Sequence, residues 1–214
     1  MEATEVALQV AILLLTLAMF IAIQYFPKQA LTKLRAKNRT SLQANRHLIQ
    51  ATHFLSKAKS IPHNNKSQSQ TLARNALLEA ESAISLSPRD PAPLILKALV
   101  LDLLGHKGSA LKSLDLALSS PRVKSLEGRE RGDALVKRAE LKTSVNRRRR
   151  VDSAIEDLRE AVKLSGESER VYCLLGQCYE WKGKKDEARW AYGQVLKAHP
   201  GSVLALEGLD RLGL

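Results

Sequence analysis

Five histidines (His47, His53, His63, His106 and His199) and two cysteines (Cys173 and Cys178) are the residues of this chain best suited to hold a metal or attack a substrate. Their spacing does neither. No two histidines fall four apart with an adjoining glutamate, the arrangement that sets two imidazoles on one helical face around a zinc ion. Cys173 and Cys178 are five residues apart on a predicted helix, where i and i+5 do not share a face, so they are not disulfide partners. They read as packed thiols of a reduced compartment. The stretch "GHKGSA" at 105–110 lacks the glycine and lysine order of a phosphate-binding loop, and no serine stands in G-x-S-x-G. The sequence therefore offers no catalytic, cofactor-binding or metal-binding residues, no cofactor, and no case for an enzyme. One charged motif remains: Arg147, Arg148, Arg149 and Arg150, in "NRRRR", read as a solvated turn, a phosphate contact, a localisation signal or a docking point for an acidic partner.

With no chemistry to position, the elements themselves become the question. The chain has 214 residues, 44% of them hydrophobic and only 4% aromatic. Alanine and leucine dominate, a mix that favours helices over strands. The net charge of +12 is unevenly spread. After Glu5 the next acid is Glu79, and ten basic residues lie between Lys28 and Leu78, among them Lys28, Lys33, Arg35, Lys37 and Arg39.

The N-terminal run from Val6 to Phe26 carries no charge. As a helix its 21 residues would extend about 31 Å, near the ~30 Å hydrocarbon thickness of a bilayer. Tyr25 and Phe26 close it, where aromatic rings suit an interface. The acidic start "MEATE" and the length of the run argue against a cleaved signal peptide. The expectation is a single transmembrane helix at 1–27, then a basic juxtamembrane segment at 28–41 that can rest on anionic lipid. The positive flank would keep the following domain cytosolic, on an organelle outer membrane or the endoplasmic reticulum. The sequons at Asn38 and Asn65 would then go unused.

The rest, 42–212, is periodic. Between Tyr172 and Pro200 the distinctive residues are Tyr172, Leu175, Gly176, Tyr179, Gly183, Ala188, Tyr192 and Pro200. Small Gly176 and Ala188 would let two antiparallel helices approach. Leu175, Tyr179 and Tyr192 would fill the space around that contact, Gly183 would make the turn, and Pro200 would end the second helix. Asp186 suits the start of that second helix. Gly193 answers none of these demands and only weakens the helix. This pattern resembles the tetratricopeptide repeat, a helix-turn-helix unit, over 169–202, with Val195 where the family usually has alanine. A second match, over 91–122, carries Leu94, Ala98, Leu101, Gly105, Ala110, Leu114, Ala117 and Pro121. A third, over 133–165, has Leu135, Ala139, Ala154, Leu158 and Ala161, with three extra residues in a turn holding the four arginines. A fourth joins "RHLIQATHFLSKAK" to "NALLEAESAISLSP" through a long linker, "SIPHNNKSQSQ". One unit cannot bury its own apolar face, so such repeats must stack. The closing segment "SVLALEGLDRL" reads as an amphipathic cap. The fold class expected is all-α, a solenoid of about three to four helix-turn-helix units.

The resemblance implies a function in binding other proteins, with a peptide or helix held in the concave groove. Transferred by family pattern, the groove positions are Ile95, Leu99, Asp102, Lys137, Glu140, Arg170, Gln177 and Glu180. The family's carboxylate clamp for chaperone tails is missing. Its places hold Ile95 and Leu99, Asp133 and Lys137, and Arg170 and Leu174, with Leu48 and Thr52 upstream. The sequence thus reads as a membrane-anchored adaptor. The alternatives are a subunit of a larger membrane complex and an RNA-binding helical-repeat protein. Nucleic acid is disfavoured, because the charge is clustered and stacking aromatics are scarce.

Overall fold

In the computed structural model of this chain the backbone is described for residues 2–62, 65–166 and 168–213. Along the first helix the side chains are described at Glu5, at 7–21 and from Arg39 onward. Every described element is helical: α1 (Glu2–Ser60), α2 (Lys66–Leu86), α3 (Ala92–Leu103), α4 (Lys107–Ala117), α5 (Gly128–Ser165), α6 (Glu169–Trp181), α7 (Lys185–Ala198) and α8 (Val203–Arg211), with a short 3₁₀ turn at Arg122–Ser125.

These helices pair as antiparallel hairpins and the hairpins stack. His47 Nδ1 on α1 lies 2.7 Å from Glu79 on α2, and Ser69 donates to the Ala58 carbonyl at 2.8 Å, so the two helices run against each other. Alanines make that contact: Ala51, Ala58, Ala73, Ala76 and Ala80 are all buried with Leu55, and α3 adds Leu96 and Val100. The opposite face of α3, through Ala98 and Leu101, packs on Ala110, Leu111 and Leu114 of α4 and on Ala134 and Leu141 of α5. The largest core joins α5, α6, α7 and α8 around Leu135, Leu158, Leu175, Tyr192 and Val195. Each fully buried leucine of this kind contributes roughly 1.5–3 kcal/mol. Between α3 and α4, and between α6 and α7, Gly105 and Gly183 adopt φ of +84° and +72°, the left-handed turn that glycine makes without steric cost.

The helix α5 is itself a repeat folded in two. Asn146 has φ −156° and ψ 88°, outside the helical region, and the chain reverses there. Arg138 meets Asp157, Lys142 Nζ donates to the Ser153 carbonyl at 3.1 Å, and Arg131 meets Glu160, pairs arranged about the break as in a hairpin. The expected long turn is absent. The Asn146 Oδ1 accepts from the Arg149 N–H at 3.2 Å, capping a new helix whose first turn is the arginine run. The extra residues lie within the two helical arms of the unit instead. The linker before α2 is also shorter than its polar composition suggested, because the serines and glutamines after Lys66 form the first turns of α2.

The expected membrane anchor, and with it the localisation, is overturned. Among the described residues no helix is long and apolar enough to cross a membrane. The apolar side chains described at 7–21 are exposed. They begin a helix of 59 residues that runs unbroken through 27 and 41 and ends packed on α2. With no spanning helix among the described residues, the positive-inside argument has nothing to orient. A single-pass protein of an organelle outer membrane or the endoplasmic reticulum, with a cytosolic C-terminal domain, is therefore not supported. Tyr25, Phe26, Lys28, Lys33, Arg35, Lys37 and Asn38, whose side chains carried the interface, lipid and sequon expectations, lie outside the described side chains, and His63 outside the described residues. The last helix, α8, closes the solenoid as expected, burying Ala205 and Gly208, but turns Val203, Leu204 and Leu206 outward.

Candidate protein-binding groove

First helices of successive units face one concave side, and there α1, α3, α5 and α6 enclose a cavity of about 640 Å³. Its floor is apolar: Leu48 from α1, Ile95, Leu96 and Leu99 from α3, Ala134 and Val136 from α5, and Leu126 from the segment before α5. Ile95 and Leu99 are four apart on a helix, so both point to one side of α3. Leu96 and Val136 are held by the cores behind them, which makes the floor a fixed surface.

One wall is a chain of ion pairs crossing three helices. Lys137 Nζ on α5 lies 2.7 Å from Asp102 on α3 and 3.1 Å from Glu140. Glu140 in turn accepts from Arg170 Nε on α6 at 3.0 Å. Burial lowers the Lys137 pKa, and its hydrogen bonds to Asp102 and Glu140 more than offset this, leaving the ammonium above its ordinary value. The wall is thus charged but neutralised from within. Glu130 and Asp133 of α5 and Lys59 of α1 also line the cavity, and none of the three is ion-paired among the described residues.

Of the eight positions expected to line the groove, Ile95, Leu99, Lys137 and Arg170 line this cavity, and Asp102 and Glu140 are the anions that hold Lys137 and Arg170. Gln177 and Glu180 stand apart from it. Glu180 accepts from the Tyr192 hydroxyl and from Arg211 Nε at 3.2 Å, joining α6, α7 and α8. Leu126 and Glu130 escaped the sequence reading because they fall between the repeats as drawn from it, whereas α5 already begins at Gly128. The four arginines lie at the far tip of the α5 hairpin, exposed, with the Arg147 guanidinium 4.2 Å from the centre of the Trp181 ring.

Among the described residues no three His, Cys, Asp or Glu side chains are placed to hold a metal. Cys173 and Cys178 are both buried and free, and burial pushes the Cys178 thiol up to about 12.

Comparison with known proteins agrees with this geometry. Residues 169–201 match the tetratricopeptide repeat family model, which is α6, α7 and the turn that follows. No curated protein matches the chain. Among solved structures it is similar to MamA at 18% identity and a TM-score of 0.58, over 71% of this chain and 83% of that one. It is also similar to YrrB, described as a TPR protein with an unusual peptide-binding site, at 19% identity and a TM-score of 0.54, over 74% of this chain and 82% of that one. A third likeness, at 18% identity and a TM-score of 0.60, is to the Cut9–Hcn1 hetero-tetramer of the APC/C, where 77% of this chain covers 30% of the other. At these identities the likeness is one of fold. The described chain is a tetratricopeptide-type helical-repeat solenoid, a class that generally mediates protein–protein interaction.

Proposed function

We propose that this chain is an interaction adaptor that holds a peptide or helix of another protein against the cavity walled by α1, α3, α5 and α6. The observation that carries the reading is the joining of Ile95 and Leu99 to Leu48 and Leu126 on one preformed apolar floor, beside a wall whose charges are already paired. Such a floor takes apolar side chains, and the ion-paired wall gives no grip on a terminal carboxylate, since Lys137 and Arg170 are committed to Asp102 and Glu140. YrrB, of the same fold, has a peptide-binding site by its description, which favours a peptide ligand here.

The test is a peptide-display selection on the full chain. Binding of the selected peptides is then measured by fluorescence anisotropy to the native protein, to Leu99→Asp and to Leu78→Asp. Leu78 is an exposed leucine of α2 outside the cavity, so it controls for a general change in surface. Loss of tenfold or more in Leu99→Asp alone supports the groove. Equal binding to all three proteins would discard it.

A further inference from the structure

A second surface, independent of the groove, lies along one edge of the solenoid. Because the helices alternate up and down, the α3–α4 turn, the break at Asn146 and the α6–α7 turn all fall at the same end. The contact of Arg147 with Trp181 and the ion pair of Lys182 with Asp152 join the last two directly. On this edge every carboxylate is already taken: Asp152 by Lys182, Asp186 by Arg189, and Glu187 by Lys184. The cations left over are Lys107, Arg148, Arg149, Arg150 and Lys185, exposed and without an ion pair among the described residues.

This excess runs against the helix that carries it. Elsewhere Arg138, Lys137 and Arg170 each meet an acid of a neighbouring helix. Here four consecutive arginines occupy the first turn after the Asn146 cap, where the helix dipole is positive and cations are disfavoured. Successive residues on a helix are about 100° apart, so the guanidiniums ring the helix end and repel one another. Folding does not compensate that charge. A bound anion would.

We propose that this edge docks an acidic, extended polypeptide segment, whose carboxylates are gripped by Arg148, Arg149 and Arg150 and continue onto Lys107 or Lys185. Arginine suits this because its planar fork takes a carboxylate in a bidentate manner. Protein is favoured over single-stranded nucleic acid by the aromatics. Arg147 covers one face of the Trp181 ring, and Trp190 stands midway along α7 and not at this edge, which leaves the edge poor in rings for a base to stack on.

The experiment uses the full chain and a labelled peptide of alternating glutamate and serine, titrated by anisotropy at several salt concentrations. The variant Arg148→Glu/Arg149→Glu/Arg150→Glu is compared with Lys124→Glu/Arg129→Glu/Lys197→Glu, which makes the same charge change at the opposite edge. The expected result is a loss of at least tenfold in the first variant and at most twofold in the second, with affinity falling as salt rises. The first variant is also expected to melt no lower than the native chain, since acids suit a helix N-terminus. If it does not fold, Arg148→Gln/Arg149→Gln/Arg150→Gln replaces it. Equal loss in both variants would show diffuse attraction to a basic chain and overturn the proposal. So would tighter binding of an oligouridylate that is lost with the same arginines.

Discussion

The ring of Tyr192 is held between Gly176 of α6 and Gly208 of α8, so close that a Cβ at these glycines would stand 2.6 Å and 2.5 Å from it. Tyr192 has no exposed surface, and its hydroxyl is donated to Glu180, so the ring cannot withdraw from either contact. Gly176→Ala and Gly208→Ala should each cost about 1–3 kcal/mol, the range for overfilled cores. Gly193 meets nothing within 4 Å, and Gly193→Ala should add roughly 0.5–1 kcal/mol through helix propensity alone. Chemical denaturation of the three variants checks this, and a Gly176→Ala protein as stable as the native one would refute the close-approach account.

Cys178 is buried with its pKa pushed up to about 12, and burial likewise raises Cys173. In the fold the Cys178 thiol stays protonated, while the unfolded chain's thiol ionises from about its ordinary value of 9.0. The stabilisation is therefore whole below pH 9 and is lost as the pH rises toward 12. Neither thiol should react with a disulfide reagent at pH 8 until denaturant unfolds the chain. Stoichiometric labelling of the native protein within minutes would contradict the burial.

Asp157, only 5% exposed, accepts from Arg138 at 2.9 and 2.6 Å and faces Lys142 Nζ at 2.7 Å. It ties the two arms of the α5 hairpin together. Asp157→Ala leaves the mostly buried Lys142 with no carboxylate and Arg138 with only Asp115, at 3.6 Å, and should cost about 3–5 kcal/mol. Replacing all three by apolar residues (Asp157→Leu, Arg138→Met, Lys142→Met) should recover most of that loss, because no buried unpaired charge remains and Asp115, which loses Arg138, is half exposed. If the triple variant is no more stable than Asp157→Ala, the cost lies in packing and not in charge.

The hairpin of α6 and α7 was legible because its signature residues answer demands met within one unit. Gly176, Tyr179, Gly183, Ala188 and Tyr192 are a contact, a turn and a filling, all set by neighbours within about 20 residues. The groove was legible by half. The repeat pattern pointed to Ile95, Leu99, Lys137 and Arg170, which line one cavity, but the stacking of units decides that Leu126 and Glu130 join them and that Glu180 serves α8. Ion pairs such as Lys137 with Asp102 join helices 35 positions apart, where no local pattern announces them. At the N-terminus hydropathy alone suggested a span. Local hydropathy did not reveal that the same helix continues to Ser60 and packs on α2.

The break at Asn146, which makes 128–165 a hairpin and not a single rod, is open to test through the one side chain that caps it. Its carbonyl oxygen takes the Arg149 N–H, and its φ of −156° with ψ of 88° reverses the chain. The flanking residues, "KTSV" before and "RRRR" after, contain no glycine or proline to impose a turn. Asn146→Ala removes the cap and substitutes the best helix former, so it should cost about 1 kcal/mol and favour a continuous helix in the unfolded ensemble. Asn146→Asp keeps an acceptor and adds a negative charge beside four arginines, and should match or exceed the native stability. Thermal unfolding of the two variants decides the point: the order Asp at or above native, with Ala below, is required. An Asn146→Ala protein of undiminished stability would mean that packing of Leu135 and Leu141 against α4 and α6, and not the cap, bends the chain.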